Sequence, residues 1–378
     1  MALRRKRVLI LSAGAGAGHV RAAEALEHVF REKYPHVHVT NVDALDYTHA
    51  AFRHNFTRTY NMLVKEMPTV WAAIYQGMEE IKVNSTAKRL AMFFDRINSQ
   101  KLKRFARDLD PDAIICTHMF PAETMAPQRL KGKLRAPLYM VLTDFEIHTM
   151  WIINGVNHYF VATQEMAYAL KEKGIGDAGV SVTGIPTLPV FGDGRLTRQA
   201  MRRRLGLAQD RPTVLLCAGG FGLGDLSASV NVLAERLENA QLLAVAGRNP
   251  ELSEAFQKLA RKHPGRVFPF GFVDNMHEMM AASDFMVGKS GGLTSSECLV
   301  MGLPMVILAP IPGQEERNSD YLLECGVAVR AHSPAHMVYK ATRLLADPAR
   351  LSRMRANARA VAMPHAAKQI AEAVVKSL

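Results

Sequence analysis

The amino-acid sequence predicts an α/β protein built from two doubly wound domains, each with its own parallel sheet. Short apolar runs rich in β-branched residues alternate with helical stretches, which is the pattern of strands joined by crossover helices. The alternation stops at a proline- and glycine-rich segment, residues 183–191, and then begins again. A chain of 378 residues is also longer than one hydrophobic core usually supports. We therefore expect domains over residues 1–190 and 191–363, with a final helix over 364–378 that could cross back to the first domain.

The strand pattern of the first domain begins at residues 8–11, which run into a glycine turn and a helix over about residues 20–33. Further strands are predicted at residues 37–42, 112–118, 136–145 and 158–163. The second domain repeats the pattern, with strands predicted at residues 213–220, 241–247, 266–273, 284–289 and 305–310. In open sheets of this kind, ligands bind where the strands end and the helices begin.

Composition and charge narrow the classes of function. Hydrophobic residues make up 48% of the chain and charged residues 22%, as in ordinary folded proteins and unlike disordered chains. The formal net charge of +12 favours contact with phosphorylated ligands or an anionic membrane surface. No nucleic-acid recognition motif accompanies this charge, so we expect no nucleic-acid partner. The four cysteines are widely spaced, which argues against a zinc site or a disulfide framework and favours a reducing compartment.

Two stretches bear on membrane contact. The basic residues 4–7 precede an apolar run that is too short for a signal peptide, and no window of the sequence is long enough to cross a bilayer. Residues 51–107 mix basic and aromatic side chains. This mixture suits either an inserted helical pair that packs into the core or a surface that holds anionic lipid. Any membrane contact is then expected to be peripheral.

The first glycine turn, residues 14–19, ends in a histidine. Glycines such as Gly16 and Gly18 let backbone amides approach a ligand at a helix N-terminus, where peptide dipoles favour negative charge. His19 follows them at the mouth of the turn, and the pKa of an imidazole suits proton transfer. The alternative is a histidine that caps the helix or faces solvent. His19 is therefore a candidate catalytic residue.

A second set of phosphate-binding features lies in the middle of the second domain. A strand ends in Lys289, the glycines Gly291 and Gly292 follow, and a helix begins around Thr294. A lysine, bare amides and a helix N-terminus together stabilise a departing diphosphate without a metal ion. One turn into the helix, Glu297 could accept hydrogen bonds from a ribose. The Walker order of residues is absent, which disfavours a nucleoside triphosphatase.

Two further turns of the second domain carry binding features. Residues 218–225 repeat the strand, glycine turn and helix arrangement, and their amides could hold a phosphate. In residues 309–322, prolines and a glycine form a turn that places Gln314 and Glu315 at the end of a strand. Adjacent amide and carboxylate groups suit the hydroxyls of a sugar, and a plain helix cap is the alternative. None of these motifs requires a metal ion or a cofactor.

The chain resembles the monogalactosyldiacylglycerol synthase and processive diacylglycerol glucosyltransferase group of glycosyltransferase family 28. The resemblance rests on four segments that occur in this order: GAGAGHVRAAEAL, VLTDFEIHTMW, TGIP and GKSGGLTSSECLVMGLPMVILAPIPGQEERNSDYLLECGVAV. It covers nearly the whole chain and departs from the usual pattern at Ser290, where a proline is common. It implies a GT-B fold, in which two Rossmann-like domains face each other across a cleft. The first domain would face the acceptor and the membrane, and the second would bind a UDP-sugar.

The resemblance also implies roles for individual residues. His19 would be the general base that deprotonates the acceptor hydroxyl. Residues implied on the acceptor side are Gly16, Gly18, Asp144, His148 and Trp151. Residues implied to bind the donor are Phe272 and Val273 at the uracil, Glu297 at the ribose, Gly220, Phe221, Ser290, Gly291, Gly292, Leu293 and Thr294 at the diphosphate, Lys289 at the departing UDP, and Gln314 and Glu315 at the sugar.

The implied reaction is a single inverting displacement that moves a hexosyl group from a UDP-sugar to a membrane lipid such as diacylglycerol, with no metal ion or cofactor. Three alternatives stay open: a UDP-N-acetylglucosamine transferase acting on a polyprenyl-linked acceptor, a nucleotide-sugar epimerase, and a non-catalytic membrane sensor that binds a nucleotide sugar. The expected partners are a UDP-sugar, a lipid acceptor and an anionic membrane surface. The expected location is cytoplasmic, peripheral on the inner face of the cell membrane.

Overall fold

The computed structural model divides the chain into two compact units. It describes residues 4–14, 16–49, 53, 58–59, 62–63, 67–80, 99–217, 219 and 226–378. The first unit comprises Met1–Pro189 together with His365–Leu378, and the second comprises Val190–Pro364. The predicted diphosphate contacts Gly220 and Phe221 lie outside the described residues, as does much of the basic and aromatic region 51–107.

The first unit is built on a parallel sheet of six strands. The strands are β1 (Arg7–Ser12), β2 (His38–Asp43), β3 (Ala113–Cys116), β4 (Leu138–Val141), β5 (His158–Val161) and β6 (Val180–Val182), in the order β2-β1-β3-β4-β5-β6. The helices are α1 (Ala17–Lys33), α2 (Pro68–Glu80), α3 (Gln100–Leu109), α4 (Met119–Leu130) and α5 (Gln164–Glu172). Short 3-10 turns lie at Ala44–Tyr47, Thr149–Trp151 and Asp177–Gly179.

The second unit repeats this architecture. Its strands are β7 (Thr213–Cys217), β8 (Gln241–Val245), β9 (Val267–Phe270), β10 (Phe285–Gly288), β11 (Met305–Leu308) and β12 (Ala328–Ala331), in the order β12-β11-β10-β7-β8-β9. Its helices are α6 (Arg198–Arg204), α7 (Ser227–Arg236), α8 (Pro250–Lys262), α9 (Met276–Ala282), α10 (Gly292–Met301), α11 (Gln314–Glu324), α12 (Pro334–Leu345) and α13 (Pro348–Val361). The last helix of the chain, α14 (Ala366–Lys376), belongs to the first unit.

The strands form because their apolar runs are covered on both faces. Residues 8–11 of β1 are fully buried, as expected for the centre of a parallel sheet between two layers of helices. On one face of that sheet, α1 contributes Leu26 and Phe30, and α14 contributes Ile370 and Val374 to the same core. The C-terminal helix therefore completes the hydrophobic core of the first unit.

Each sheet reverses its strand order at one point. In the first unit the reversal falls between β1 and β3, and in the second it falls between β7 and β10. Crevices at the carboxyl ends of such strand pairs are the usual ligand sites of doubly wound folds. The predicted fold class of two doubly wound parallel sheets is confirmed, and the predicted turns after β1 and β10 lie at these two reversal points.

The structure adds two edge strands that the sequence did not predict, β6 and β12, and both are short. It also begins α1 at Ala17, three residues before the predicted start, because the extended backbone of Gly16 provides the N-cap. Within the described part of the chain, every helix is too short or too polar to cross a bilayer.

Candidate functional site

The glycine turn after β1 is held by a carboxylate from the end of β2. The amide of Gly14 donates to Oδ2 of Asp43 at 3.1 Å, and the amide of Leu45 donates to Oδ1 at 2.9 Å. A Cβ atom at position 14 would lie only 2.5 Å from that Oδ2 atom, so a side chain there would displace the carboxylate. Burial raises the pKa of Asp43. Asp43 thus fixes the shape of the turn that carries His19.

His19, in the first turn of α1, is anchored through a single ring nitrogen. Its Nδ1 atom lies 2.9 Å from the carbonyl oxygen of Thr117 and 2.8 Å from the hydroxyl of Thr143. The hydroxyl of Thr117 donates in return to the carbonyl oxygen of His19 at 2.9 Å. Thr117 follows β3 and Thr143 follows β4, so three neighbouring strand ends converge on this imidazole.

These contacts determine the tautomer of His19. A carbonyl oxygen can only accept a hydrogen bond, so Nδ1 carries the proton and Nε2 keeps its lone pair. The Gly16 backbone lies beside this second nitrogen, since a Cβ at position 16 would be 3.9 Å from Nε2. Gly16 therefore leaves the approach to Nε2 clear of a side chain. The predicted general base is presented in the form that can take a proton.

Two buried aromatic side chains enclose the imidazole. The ring of His118 meets it edge to face, with centroids 4.6 Å apart, and the ring of Trp151 lies 5.9 Å from both histidines. Nδ1 of His118 accepts a hydrogen bond from the amide of Phe120 at 3.1 Å and so caps α4. His19, Thr117, His118, Thr143 and Trp151 together are called the histidine site below.

The predicted acceptor-side motif contributes to this site through Trp151. His148, only 1% exposed, donates from Nε2 to the carbonyl oxygen of Tyr75 at 3.0 Å and accepts from the amide of Met150 through Nδ1 at 3.2 Å. Both ring nitrogens are thus engaged by backbone, and His148 holds the turn that ends in Trp151. Asp144, half-buried, follows Thr143 directly, and Gly18 lies in the first turn of α1.

Desolvation lowers the pKa of His19 to about 4, although the Thr117 carbonyl opposes this by favouring the charged ring. Burial, and to a lesser extent the nearby His19, also lower the pKa of His118 well below its usual range. At neutral pH both rings are therefore uncharged. As a whole residue, His19 is half-buried.

The lowered pKa of His19 predicts acid sensitivity of the first unit. Between pH 6.5 and 4 the unfolded chain binds a proton that the folded site refuses, so stability falls as the pH falls through this window. From pH 7 to pH 5 we expect His19 to account for a loss of about 2 kcal/mol in unfolding free energy. Urea unfolding at both pH values, followed by fluorescence of the two tryptophans, both in the first unit, measures this loss.

The comparison protein for that experiment is His19→Asn, which should lose about 2 kcal/mol less than the wild type over the same pH change, because it has no imidazole to protonate at this position. Equal losses in the two proteins would contradict the assigned protonation state.

The hydroxyl of Thr143 is expected to position the base. Thr143→Val keeps the shape of this buried side chain and removes one of the two partners of Nδ1. A hydrogen bond contributes about 1 kcal/mol, so we expect kcat to fall about fivefold with the KM for the donor unchanged. Thr143→Ser should restore the rate because it restores the hydroxyl. A serine variant as slow as the valine variant would indicate a packing role instead.

In the second unit, the turn after β10 leads into a helix without a side-chain cap. Gly291 is the N-cap of α10, its backbone is extended, and as a glycine it supplies no capping side chain. Gly292, Leu293 and Thr294 form the first turn, which begins two residues earlier than the sequence predicted. Lys289, half-buried, stands between the strand and this turn. The arrangement can bind an anion through backbone amides.

Ser290 and Glu315 connect two loops at this edge of the sheet. The Ser290 hydroxyl is buried and donates to the carbonyl oxygen of Glu315 at 2.6 Å. Oε2 of Glu315 accepts from the amide of Ile311 at 2.7 Å, and only 8% of the residue is exposed. Its other oxygen points toward Gly291, 3.6 Å from where a Cβ would stand. Both residues thus shape the loop, while Gln314 begins α11 beside them.

The remaining predicted donor contacts lie at the same edge of the sheet. Glu297 is half-buried on α10, one turn after Gly292. Phe272 follows β9 and is 50% exposed, with the half-buried Val273 next to it. The guanidinium of Arg248, which the sequence did not single out, lies over the Phe272 ring at 4.5 Å. Among the residues that the structure describes, no cluster of three or more histidine, cysteine or acidic side chains is arranged to hold a metal ion.

Comparisons with known protein families match each of the two units separately. Residues 19–187 match the family model of monogalactosyldiacylglycerol synthase, and residues 209–361 match that of glycosyl transferases group 1. The processive diacylglycerol beta-glucosyltransferase of Bacillus pumilus is 27% identical over 98% of this chain and 95% of its own length. The Bacillus subtilis enzyme of that name is 28% identical with the same coverage.

Solved structures resemble the fold over its full length. MurG of Acinetobacter baumannii gives a TM-score of 0.64 at 16% identity and covers 98% of this chain and 99% of its own. A UDP-GlcNAc 2-epimerase from Neisseria meningitidis, bound to UDP-GlcNAc, gives 0.62 at 14% identity and covers 98% and 100%. The motifs, the two family matches and the full-length relatives together show that this chain is similar over nearly its whole length to the monogalactosyldiacylglycerol synthases and processive diacylglycerol glucosyltransferases.

Proposed function

We propose that this protein transfers a hexosyl group from a UDP-sugar to diacylglycerol, with inversion at the anomeric carbon. The observation that carries the proposal is the state of His19, whose Nδ1 is fixed as a donor so that Nε2 presents its lone pair beside Gly16. A base of this kind serves a hydroxyl acceptor. The full-length relatives named diacylglycerol glucosyltransferases supply the acceptor class.

In the proposed reaction, the lipid hydroxyl oxygen attacks the anomeric carbon while the bond from that carbon to the phosphate oxygen breaks. The hydroxyl proton passes to Nε2 of His19, and UDP leaves with the bonding electrons. The charge that develops on the imidazole is favoured by the Thr117 carbonyl at 2.9 Å. The charge that develops on UDP is favoured by Lys289 and by the first-turn amides of α10.

No metal ion takes part in this proposal, because Lys289 and the dipole of α10 supply the positive charge that the departing diphosphate needs. We therefore expect transfer in excess EDTA to stay within about twofold of the untreated rate, since no ion-dependent charge would be lost. The measurement is UDP release before and after chelation and again after excess Mg²⁺. Loss with EDTA and recovery with Mg²⁺ would contradict this part of the mechanism.

The protein is proposed to act peripherally on the anionic inner face of the cell membrane. The net charge of +12 supports this location, since each basic side chain near such a surface contributes to binding. The name of the full-length relatives gives diacylglycerol, a lipid, as their acceptor.

The test is release of UDP from a panel of UDP-sugars with three kinds of vesicle: phosphatidylcholine alone, phosphatidylcholine with diacylglycerol, and the same mixture with anionic lipid. Release that requires diacylglycerol, with a glycolipid product, supports the transferase, and stimulation by anionic lipid supports the membrane location. Release that is indifferent to diacylglycerol would overturn the acceptor. Donor binding without turnover on any lipid would favour the sensor.

A further inference from the structure

We propose that Arg248 is a donor-binding residue that, with Phe272, holds the pyrimidine base of the nucleotide and selects uracil. The inference rests on the proposed function, since it names how the second unit recognises the base of its UDP-sugar. Among the described arginines, Arg248 lies over an exposed phenylalanine ring at the ligand-binding edge of the sheet.

The fold brings these two side chains to neighbouring strand ends. β8 and β9 are paired in parallel, with Val245 opposite Phe270. Arg248 comes three residues after the end of β8, and Phe272 comes two residues after the end of β9. Because parallel strands end at the same edge, the pair lies on the edge that also carries the first turn of α10.

The spacing along this edge fits a nucleotide whose phosphates lie at α10. The strands run in the order β10-β7-β8-β9, and neighbouring strands are about 4.8 Å apart. The ends of β8 and β9 are therefore about 10 and 14 Å from the end of β10. A ribose separates the diphosphate from the base, so the base belongs at the β8 and β9 end, where Arg248 and Phe272 lie.

Neither side chain has an evident packing role. Phe272 is 50% exposed and lies outside the core cluster of the second unit, and Arg248 is exposed. The guanidinium carbon is 4.5 Å from the ring centroid, which is a cation–π distance. Such a pair forms a flat surface, and aromatic and guanidinium planes are the groups on which bases stack.

Arginine adds a reason for selectivity. Its five N–H groups are all donors. Uracil presents a carbonyl oxygen at the position where cytosine presents an amino group, which is also a donor. A guanidinium beside that position can donate a hydrogen bond to the uracil oxygen. With cytosine, its N–H groups would face the amino group, which is also a donor. Arg248 should therefore favour UDP over CDP.

The experiment measures calorimetric affinities of UDP, UMP and CDP for the wild type and for Arg248→Met, Arg248→Lys and Phe272→Leu. Arg261→Met removes an exposed arginine from α8 in the same unit and serves as the matched control. We expect Arg248→Met to weaken UDP and UMP each by about tenfold and to narrow the preference for UDP over CDP, because the base loses one stacking and hydrogen-bonding partner. Arg248→Lys should be nearly as weak because an ammonium cannot stack, and Arg261→Met should bind as the wild type does.

Each possible affinity result either supports or overturns the role of Arg248 at the base. An affinity of Arg248→Met for UDP within twofold of the wild type overturns the proposal. A loss for UDP without a loss for UMP assigns the guanidinium to the second phosphate and overturns its role at the base. A wild-type protein that binds no UDP refutes the proposed function itself, whereas UDP binding without sugar transfer refutes only the enzymatic step and leaves the Arg248 comparison valid.

Discussion

His19→Asn is expected to lower the rate of sugar transfer by a factor of about 10² to 10⁴, the range that a positioned general base contributes. Asparagine suits this test because its side-chain amide can still donate to the Thr117 carbonyl, as Nδ1 does in the wild type at 2.9 Å. What the variant lacks is an atom in the place of Nε2. The measurements are kcat for glycolipid formation and, separately, the affinity for UDP, which should be unchanged.

The matched control is His28→Asn, which makes the same substitution on the same helix at an exposed histidine. It should transfer sugar at the wild-type rate. A His19→Asn variant that keeps kcat within about tenfold of wild type would remove His19 from the chemistry, because a loss that small is below what a general base contributes. A variant that also lost UDP affinity would point to a folding defect instead.

The fold was predictable because both of its signals are local. Buried strands such as β1 and β7 are continuous apolar runs, and each is followed by glycines that only a tight turn explains. The edge strands escaped prediction for a physical reason. β6 is three residues long and partly exposed, and β12 includes an arginine, so neither displays an uninterrupted apolar run.

The glycine turn that precedes His19 was also predictable, whereas the residues that contact His19 were not. His19 stands out in the sequence because it follows a glycine turn. Thr117, His118 and Thr143 follow ordinary strands and become significant only when β1, β3 and β4 are known to be neighbours. The signal that could have found them is their position directly after a predicted strand, combined with the usual order of strands in a doubly wound sheet.

The contacts of individual polar side chains are harder to predict from the sequence than the fold is. Ser290 and Glu315 were predicted to meet the donor, yet in the structure Ser290 donates to the backbone of the neighbouring loop and Glu315 accepts from the backbone of its own loop. His148 was predicted on the acceptor side, and both of its nitrogens bind backbone. A motif records which residues belong to a site, and only the geometry distinguishes a ligand contact from a support. Their roles toward donor and acceptor stay predictions.

Gly291→Asp is expected to weaken UDP binding at α10 without lowering the stability of the fold. Gly291 is an N-cap with an extended backbone and no capping side chain, a conformation that aspartate adopts without strain. The new carboxylate would accept from the same amides that are proposed to hold the diphosphate. Two hydrogen bonds to a charged group, at about 1.5 kcal/mol each, would then be lost to UDP, so we expect its affinity to fall by about two orders of magnitude. Calorimetry with UDP measures this loss.

The same substitution should not weaken the fold. An aspartate N-cap typically stabilises a helix by about 1 kcal/mol, and the nearby carboxylate of Glu315 offsets part of this gain. Gly291→Asn is the matched variant, because it caps the amides with a neutral oxygen and avoids repulsion of the diphosphate. UDP affinity should therefore fall in the order wild type, Asn, Asp, while neither variant unfolds at a lower urea concentration than the wild type. If both variants bound UDP as the wild type does, the diphosphate would have to lie away from α10; if stability fell together with affinity, the loss of binding would reflect a damaged loop.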